Sequence, residues 1–121
     1  MKERSLRRRA DGATIFRRFT DTMKANGGDP ECYRQAVITE TDALFDCTVK
    51  QLYQETGGKR FDRSTLPLDV QQAYMLNETL ATYELEGMEG TLGGDDQDEV
   101  NDKINAVVRE RSKQTRKWLP W

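Results

Sequence analysis

Acidic residues spaced three apart are the first candidates for chemistry in this sequence. Glu86 and Glu89 form one such pair, and Asp95 and Asp98 form another. Carboxylates at this spacing share one face of a helix, where their oxygens can hold Mg²⁺ for nucleotide hydrolysis. The same spacing arises in any acidic run, and these residues lie in or beside a glycine-rich stretch. Solvated linker and helix-capping roles are therefore the favoured interpretation.

The chain contains no histidine, which removes the usual general base, most catalytic triads and most catalytic zinc sites. Serine and threonine have no base to activate them, and Cys32 and Cys47 have no imidazole partner. We therefore predict no catalytic residue, no metal ligand and no cofactor, and we expect a protein that is not an enzyme.

Basic residues form two groups that could neutralise the phosphates of a nucleic acid. One group lies at the N-terminus and continues into the first predicted helix, and the other lies in a polar loop. The isoelectric point of about 5.3 argues against this role, and a solubilising tail is the alternative. The candidate nucleic-acid-binding residues are Arg7, Arg8, Arg9, Arg17, Arg18, Lys59, Arg60 and Arg63.

Aromatic residues offer a different kind of site, one for another protein. Trp118, Leu119 and Trp121 lie within the last four positions of the sequence, and Phe61 lies in the basic loop. Tryptophan is enriched at binding hot spots, and terminal segments are usually polar unless they are docked. Docking of the tail on its own bundle and a core position for Phe61 are the alternatives to partner binding.

Five predicted helices position these residues. Asp29, Pro30 and Glu31 give a helix start, and Thr48 with Gln51 fits the capping-box pattern. No stretch shows the apolar–polar alternation of a strand, so the predicted fold class is all-α, a small helical bundle. The predicted helices cover about 11–26, 30–46, 48–56, 67–86 and 96–118.

Charge is distributed in blocks along the chain. Residues 84–102 contain eight acidic residues and no basic one, between two predominantly basic ends. This pattern predicts a basic flexible arm (1–10), a helical core (11–86), a Gly- and acid-rich linker (87–95), and a C-terminal helix with a Trp-containing tail (96–121). The chain has neither a membrane-length apolar run nor a secretory signal pattern, so we expect a cytoplasmic protein.

The stretch 36–86 carries a resemblance to known families. Leu44 to Leu52, the Asp62–Arg63 pair and Leu80–Ala81 follow the order helix, charged loop, helix. This layout resembles the helical portion of phage- and plasmid-borne proteins related to the damage-inducible protein D and BRO/KilA-associated families. Asp62–Arg63 reverses the order of the pair in those families, and their histidine is missing, so the resemblance transfers no catalytic residue.

The sequence therefore predicts a non-enzymatic, protein-binding regulator or inhibitor of phage or mobile-element origin. Its partner is another protein, which includes a second copy of this chain in a homodimer. A nucleic-acid-binding regulator that uses the basic N-terminus is the first alternative. An all-α, Mg²⁺-dependent nucleotide hydrolase is the second.

Overall fold

The computed structural model describes residues 2–121, with side chains from residue 11 onward. Within this part of the chain the regular elements are five α-helices and one short 3₁₀ helix, without a β-strand. The predicted all-α bundle is thus confirmed. The elements are α1 (Lys2–Ala25), α2 (Pro30–Phe45), α3 (Val49–Thr56), the 3₁₀ helix (Arg63–Thr65), α4 (Leu68–Gly87) and α5 (Gln97–Arg116).

The first helix is longer than its apolar pattern predicts. It begins at Lys2, whereas the apolar stripe starts only after Asp11. Residues 2–10 contain no glycine or proline and are rich in good helix formers, so the helix begins well before the predicted apolar stripe. The side chains of residues 1–10 lie outside the described residues, and a basic arm at 1–10 stays a prediction.

Helix starts agree closely with the capping signals in the sequence. Asp29 accepts a hydrogen bond from the backbone N–H of Cys32 at 3.0 Å and begins α2. Thr48 and Gln51 form both hydrogen bonds of the predicted capping box before α3. Asp96 caps α5 by accepting a hydrogen bond from the backbone N–H of Glu99 at 2.8 Å. Each cap satisfies a backbone donor that the first turn of a helix leaves free.

Helices α1, α2, α4 and α5 meet in one cluster of buried side chains, which we call the apolar core. In this bundle α5 packs against both α2 and α4, and α1 packs against α4. The C-terminal helix is therefore part of the folded body. The apolar core consists of Phe19, Met23, Cys32, Ala36, Ala81, Leu85, Ile104 and Val108.

A second cluster of buried side chains joins α2, α3, α4 and the segment that connects α3 to α4. Leu119 of the C-terminal tail packs against its edge. The members of the second cluster are Leu44, Leu52, Tyr53, Leu66, Val70 and Tyr74.

None of the helices in the described part of the chain is both long and apolar enough to cross a membrane.

Candidate functional site

A groove of about 860 Å³ opens on one side of the bundle. Side chains from α1, α2, α3 and α4 line it, together with the loop 57–66 that follows α3. Its walls are largely apolar, which is typical of binding sites for small molecules or partner side chains. The apolar lining includes Phe16, Val37, Ile38, Val49, Tyr74 and Met75.

The 57–66 loop is held by hydrogen bonds at both ends. Gly57 ends α3 with a φ of 72°, a left-handed conformation in which glycine carries no steric cost. Thr65 Oγ1 accepts a hydrogen bond from the backbone N–H of Lys59 at 2.7 Å. Gln71 Nε2 donates to the carbonyl of Leu66 at 2.7 Å, which ties the end of the loop to α4. These contacts give the rim of the groove one defined conformation.

Phe61 projects from this loop at the edge of the groove. Its side chain is 83 % exposed, which excludes the core position that the sequence left open. Its φ of 66° lies in the left-handed region, which costs a bulky residue about 1–3 kcal/mol. The guanidinium of Arg60 lies 4.9 Å from the centre of the Phe61 ring. Packing in the core therefore does not account for the strained conformation of Phe61.

Arg63 forms part of the groove floor, and its guanidinium faces inward. Its Nη1 lies 2.8 Å from Glu78 Oε1, and its Nη2 lies 3.4 Å from Glu40 Oε1. The guanidinium also lies over the ring of Tyr74, at 4.0 Å, and that of Phe16, at 4.7 Å. Burial opposes the charge of Arg63, but Glu78 and Glu40 outweigh it and raise the Arg63 pKa. We call Glu40, Arg63 and Glu78 the acid–arginine cluster.

Two carboxyl groups face one guanidinium in the acid–arginine cluster, and both are 0 % exposed. Burial, and then the neighbouring charge of Glu78, raise the pKa of Glu40 well above its usual value, and Arg63 and Asn77 only partly offset this. Glu78 Oε2 is buried without a hydrogen-bond donor among the described groups. The raised pKa of Glu40 favours its protonated, uncharged form beside Glu78.

Polar side chains extend the acid–arginine cluster into the bundle. Asn77 Nδ2 donates to Glu40 Oε2 and to Ser112 Oγ, both at 2.9 Å, which connects α2, α4 and α5. Tyr74 and Thr41 join their hydroxyls at 2.6 Å. Thr41 Oγ1 also donates to the Val37 carbonyl, so the Tyr74 hydroxyl is the donor in their shared bond. Hydrogen bonds through Asn77 thus join the acid–arginine cluster to α5, and the Tyr74–Thr41 pair forms a separate set beside it.

Comparison with protein-family models, with curated proteins and with solved structures finds no match to this chain. The chemistry of the groove and of the exposed side chains is therefore the basis for assigning a function.

The predicted tail residues divide between two environments. Trp121 stacks on Phe45 with ring centres 5.7 Å apart, and its indole N–H donates to the Leu44 carbonyl at 2.8 Å. Leu119 packs against the second cluster. Trp118, by contrast, is 82 % exposed. The tail docks on its own bundle through Trp121 and Leu119, and it leaves Trp118 free for contact with another molecule.

The basic residues predicted to bind nucleic acid are also divided. Arg18 pairs with Glu86 at 3.0 Å, and Arg63 lies within the acid–arginine cluster. Arg17, Lys59 and Arg60 are exposed. The side chains of Arg7, Arg8 and Arg9 lie outside the described residues.

The acidic stretch serves largely as caps and ion pairs. Asp96 accepts from the backbone N–H of Glu99, and Glu99 accepts from that of Asp95 and pairs with Lys103. Among the side chains from residue 11 onward, no three acidic or cysteine residues come together as a group that could hold a metal ion. The caps that the sequence favoured for this stretch are present in the structure.

Sequence reasoning missed Glu40 and Glu78, the buried carboxyl groups that pair with Arg63 of the groove. A signal was present, because Glu40 lies four residues from both Ala36 and Leu44, on the buried face of α2. A carboxylate at a buried position of an apolar helix face needs a positively charged or hydrogen-bonding partner, and Arg63 is that partner for Glu40.

Proposed function

We propose that this protein is a non-enzymatic, protein-binding regulator and that its partner docks in the groove through a segment with an apolar face. Phe61 is the observation that carries the proposal. Its exposed ring stands beside apolar walls on a loop held at both ends by hydrogen bonds. An aromatic anchor that is rigid before binding loses little conformational entropy in the complex.

Trp118 supports the same proposal as a second exposed aromatic side chain, at 82 % exposure. The resemblance over 36–86 supports a phage or mobile-element origin for such a regulator. Cys32 and Cys47 are both free thiols, which fits the cytoplasm as the place where it acts.

Replacement of Phe61 by glycine separates binding from folding. Glycine adopts a φ of 66° without strain, so Phe61→Gly should keep or raise stability, by up to about 1 kcal/mol. The same change removes the aromatic anchor, and we expect it to weaken the complex at least tenfold. Loss of binding in a chain that is no less stable would be specific to the groove.

Asp46→Gly is the matched control, because Asp46 is the other described non-glycine residue with a positive φ, 56°. Asp46 ends α2 and does not line the groove. Both variants and the wild type are used for affinity capture from the host, followed by mass spectrometry and by titration calorimetry with the purified captured protein. A partner that binds all three chains with equal affinity would contradict docking at Phe61.

A further inference from the structure

Charged side chains at the groove are mostly positive. Three arginines and one aspartate lie among its lining residues. Asp62 is engaged locally, where its carboxylate accepts a hydrogen bond from the backbone N–H of Ser64 at 3.1 Å. Arginines therefore outnumber acidic residues among the lining residues, before the ion-pair partners that lie outside the lining are counted.

Two of these arginines already have carboxylate partners. Arg63 is paired within the acid–arginine cluster. Arg34 binds Glu31 through two hydrogen bonds, of 2.6 and 3.0 Å. Arg60 forms no ion pair with any described side chain, and its guanidinium stacks over Phe61. Arg60 is thus the groove arginine that has its charge available for an incoming group.

A ligand that complements this surface must combine an apolar face with a negative charge near Arg60. A groove of this volume takes several side chains at once. An amphipathic helix meets both conditions, since its side chains at i, i+3, i+4 and i+7 fill a groove and its flanking positions carry charge. Strand addition has no template here, because the described elements are helical.

We infer that the groove binds an acidic amphipathic helix of a partner protein, with a carboxylate of that helix against Arg60 and its apolar side chains against Phe61 and the walls. This inference rests on the proposed function and specifies the chemistry of the partner. Attraction between the two charges also steers the encounter, so association depends on ionic strength.

Synthetic helices of about 18 residues are the probes. One carries leucines at the spacing of a single helix face and glutamates elsewhere, and its counterpart carries lysines in place of the glutamates. We expect the full chain to bind the acidic peptide at least tenfold more tightly than the basic one, measured by fluorescence anisotropy in about 50 mM salt. We also expect this preference to shrink in about 500 mM salt.

Arg60→Glu should weaken binding of the acidic peptide about fivefold to tenfold, because it replaces an attraction by a repulsion. Arg109→Glu is the matched control. Arg109 is an exposed residue of α5 outside the groove, and its replacement changes the net charge equally. Arg60→Gln tests the loss of attraction alone and should have a smaller effect in the same direction.

Three results would overturn the inference. They are absence of binding to the acidic peptide, equal binding of both peptides, and equal effects of Arg60→Glu and Arg109→Glu. Displacement of the acidic peptide by duplex DNA through Arg60 would assign the surface to nucleic acid instead. A captured partner that depends on Phe61 but not on Arg60 would leave the proposed function intact and refute only the acidic helix.

Discussion

The apolar core and the acid–arginine cluster are equally shielded from water but differ in chemistry. Leu85 and Ile104 of the apolar core are 0 % exposed, and so are Glu40 and Glu78. Burial of an apolar side chain stabilises the fold by about 1.5–3 kcal/mol, whereas a buried carboxylate costs several kcal/mol unless it is protonated or paired. One region supplies stability, and the other must first offset its own desolvation.

This difference explains what the acid–arginine cluster contributes. Arg63 belongs to the 57–66 loop region, and its two partners belong to α4 and α2. A buried ion pair is directional, because it satisfies its groups in few arrangements, whereas apolar contacts tolerate small shifts. We interpret the cluster as the element that fixes the loop, and with it Phe61, above the groove.

The largest expected effect comes from Arg63→Met. This change leaves two buried carboxyl groups without their cation, and we expect it to reduce the free energy of unfolding by about 3–5 kcal/mol near neutral pH. The loss should be smaller at pH 5, where Glu40, whose pKa burial raises, can take up a proton. Urea unfolding at both pH values measures it, and an equal loss at both would contradict the assignment of charge in the cluster.

The triple variant Glu40→Met, Arg63→Met, Glu78→Leu is the control for this experiment. Replacement of a whole buried ion cluster by apolar residues is often neutral or stabilising, so the triple variant should recover most of the lost stability. If the cluster positions the loop, the triple variant should still bind a partner more weakly than the wild type.

The second prediction concerns the apolar core. Leu85→Ala should cost about 2–5 kcal/mol, since it removes a fully buried side chain and leaves a cavity. Its carbonyl continues to accept the hydrogen bond from Asn26, so no polar group is lost. The cost should be the same at pH 5 and pH 8, unlike that of Arg63→Met. Leu76→Ala, at 44 % exposure on the same helix, is the matched control and should cost much less.

A smaller effect is expected in the C-terminal tail. Trp121→Ala loses the hydrogen bond to Leu44 and the stacking on Phe45, but the side chain is 39 % exposed. We expect a loss of about 1–2 kcal/mol by thermal unfolding. Trp118→Ala should change stability by less than about 0.5 kcal/mol. A larger loss for Trp118 than for Trp121 would reverse the assignment of the docked residue.

How far the sequence predicts the structure depends on how local each interaction is. Asp29, Thr48 and Asp96 cap helices through atoms three residues away, and their signals are contained in short segments. The acid–arginine cluster joins residues 15 and 23 positions apart, and the tail reaches a carbonyl 77 positions away. Such pairings depend on how the helices pack, which residue spacing does not specify.

A small effect on stability at pH 5 is also expected for Glu40→Gln, which mimics the protonated carboxyl of Glu40. The amide can donate toward Glu78 Oε2, and its carbonyl can accept from Asn77 or Arg63. Stability at pH 5 should therefore change by less than about 1 kcal/mol. The informative result is how the free energy of unfolding of the wild type and of Glu40→Gln depends on pH. Urea unfolding at several pH values between 5 and 8 measures it.

The sign of this pH dependence follows from the raised pKa of Glu40. Burial and the charge of Glu78 raise that pKa. Glu40 holds its proton more tightly in the folded chain than in the unfolded chain. This stabilises the folded state at pH values below the pKa of Glu40 in the unfolded chain, and the contribution is lost as the pH rises through its pKa in the folded chain. Glu31 has its pKa lowered to about 2 by hydrogen bonds from Arg34 and Gln35, so it contributes no change above pH 5. The chain has no histidine to titrate in this range. We therefore expect the wild type to lose stability from pH 5 to pH 8 and Glu40→Gln to lose less, and parallel curves would show that Glu40 is already ionised at pH 5.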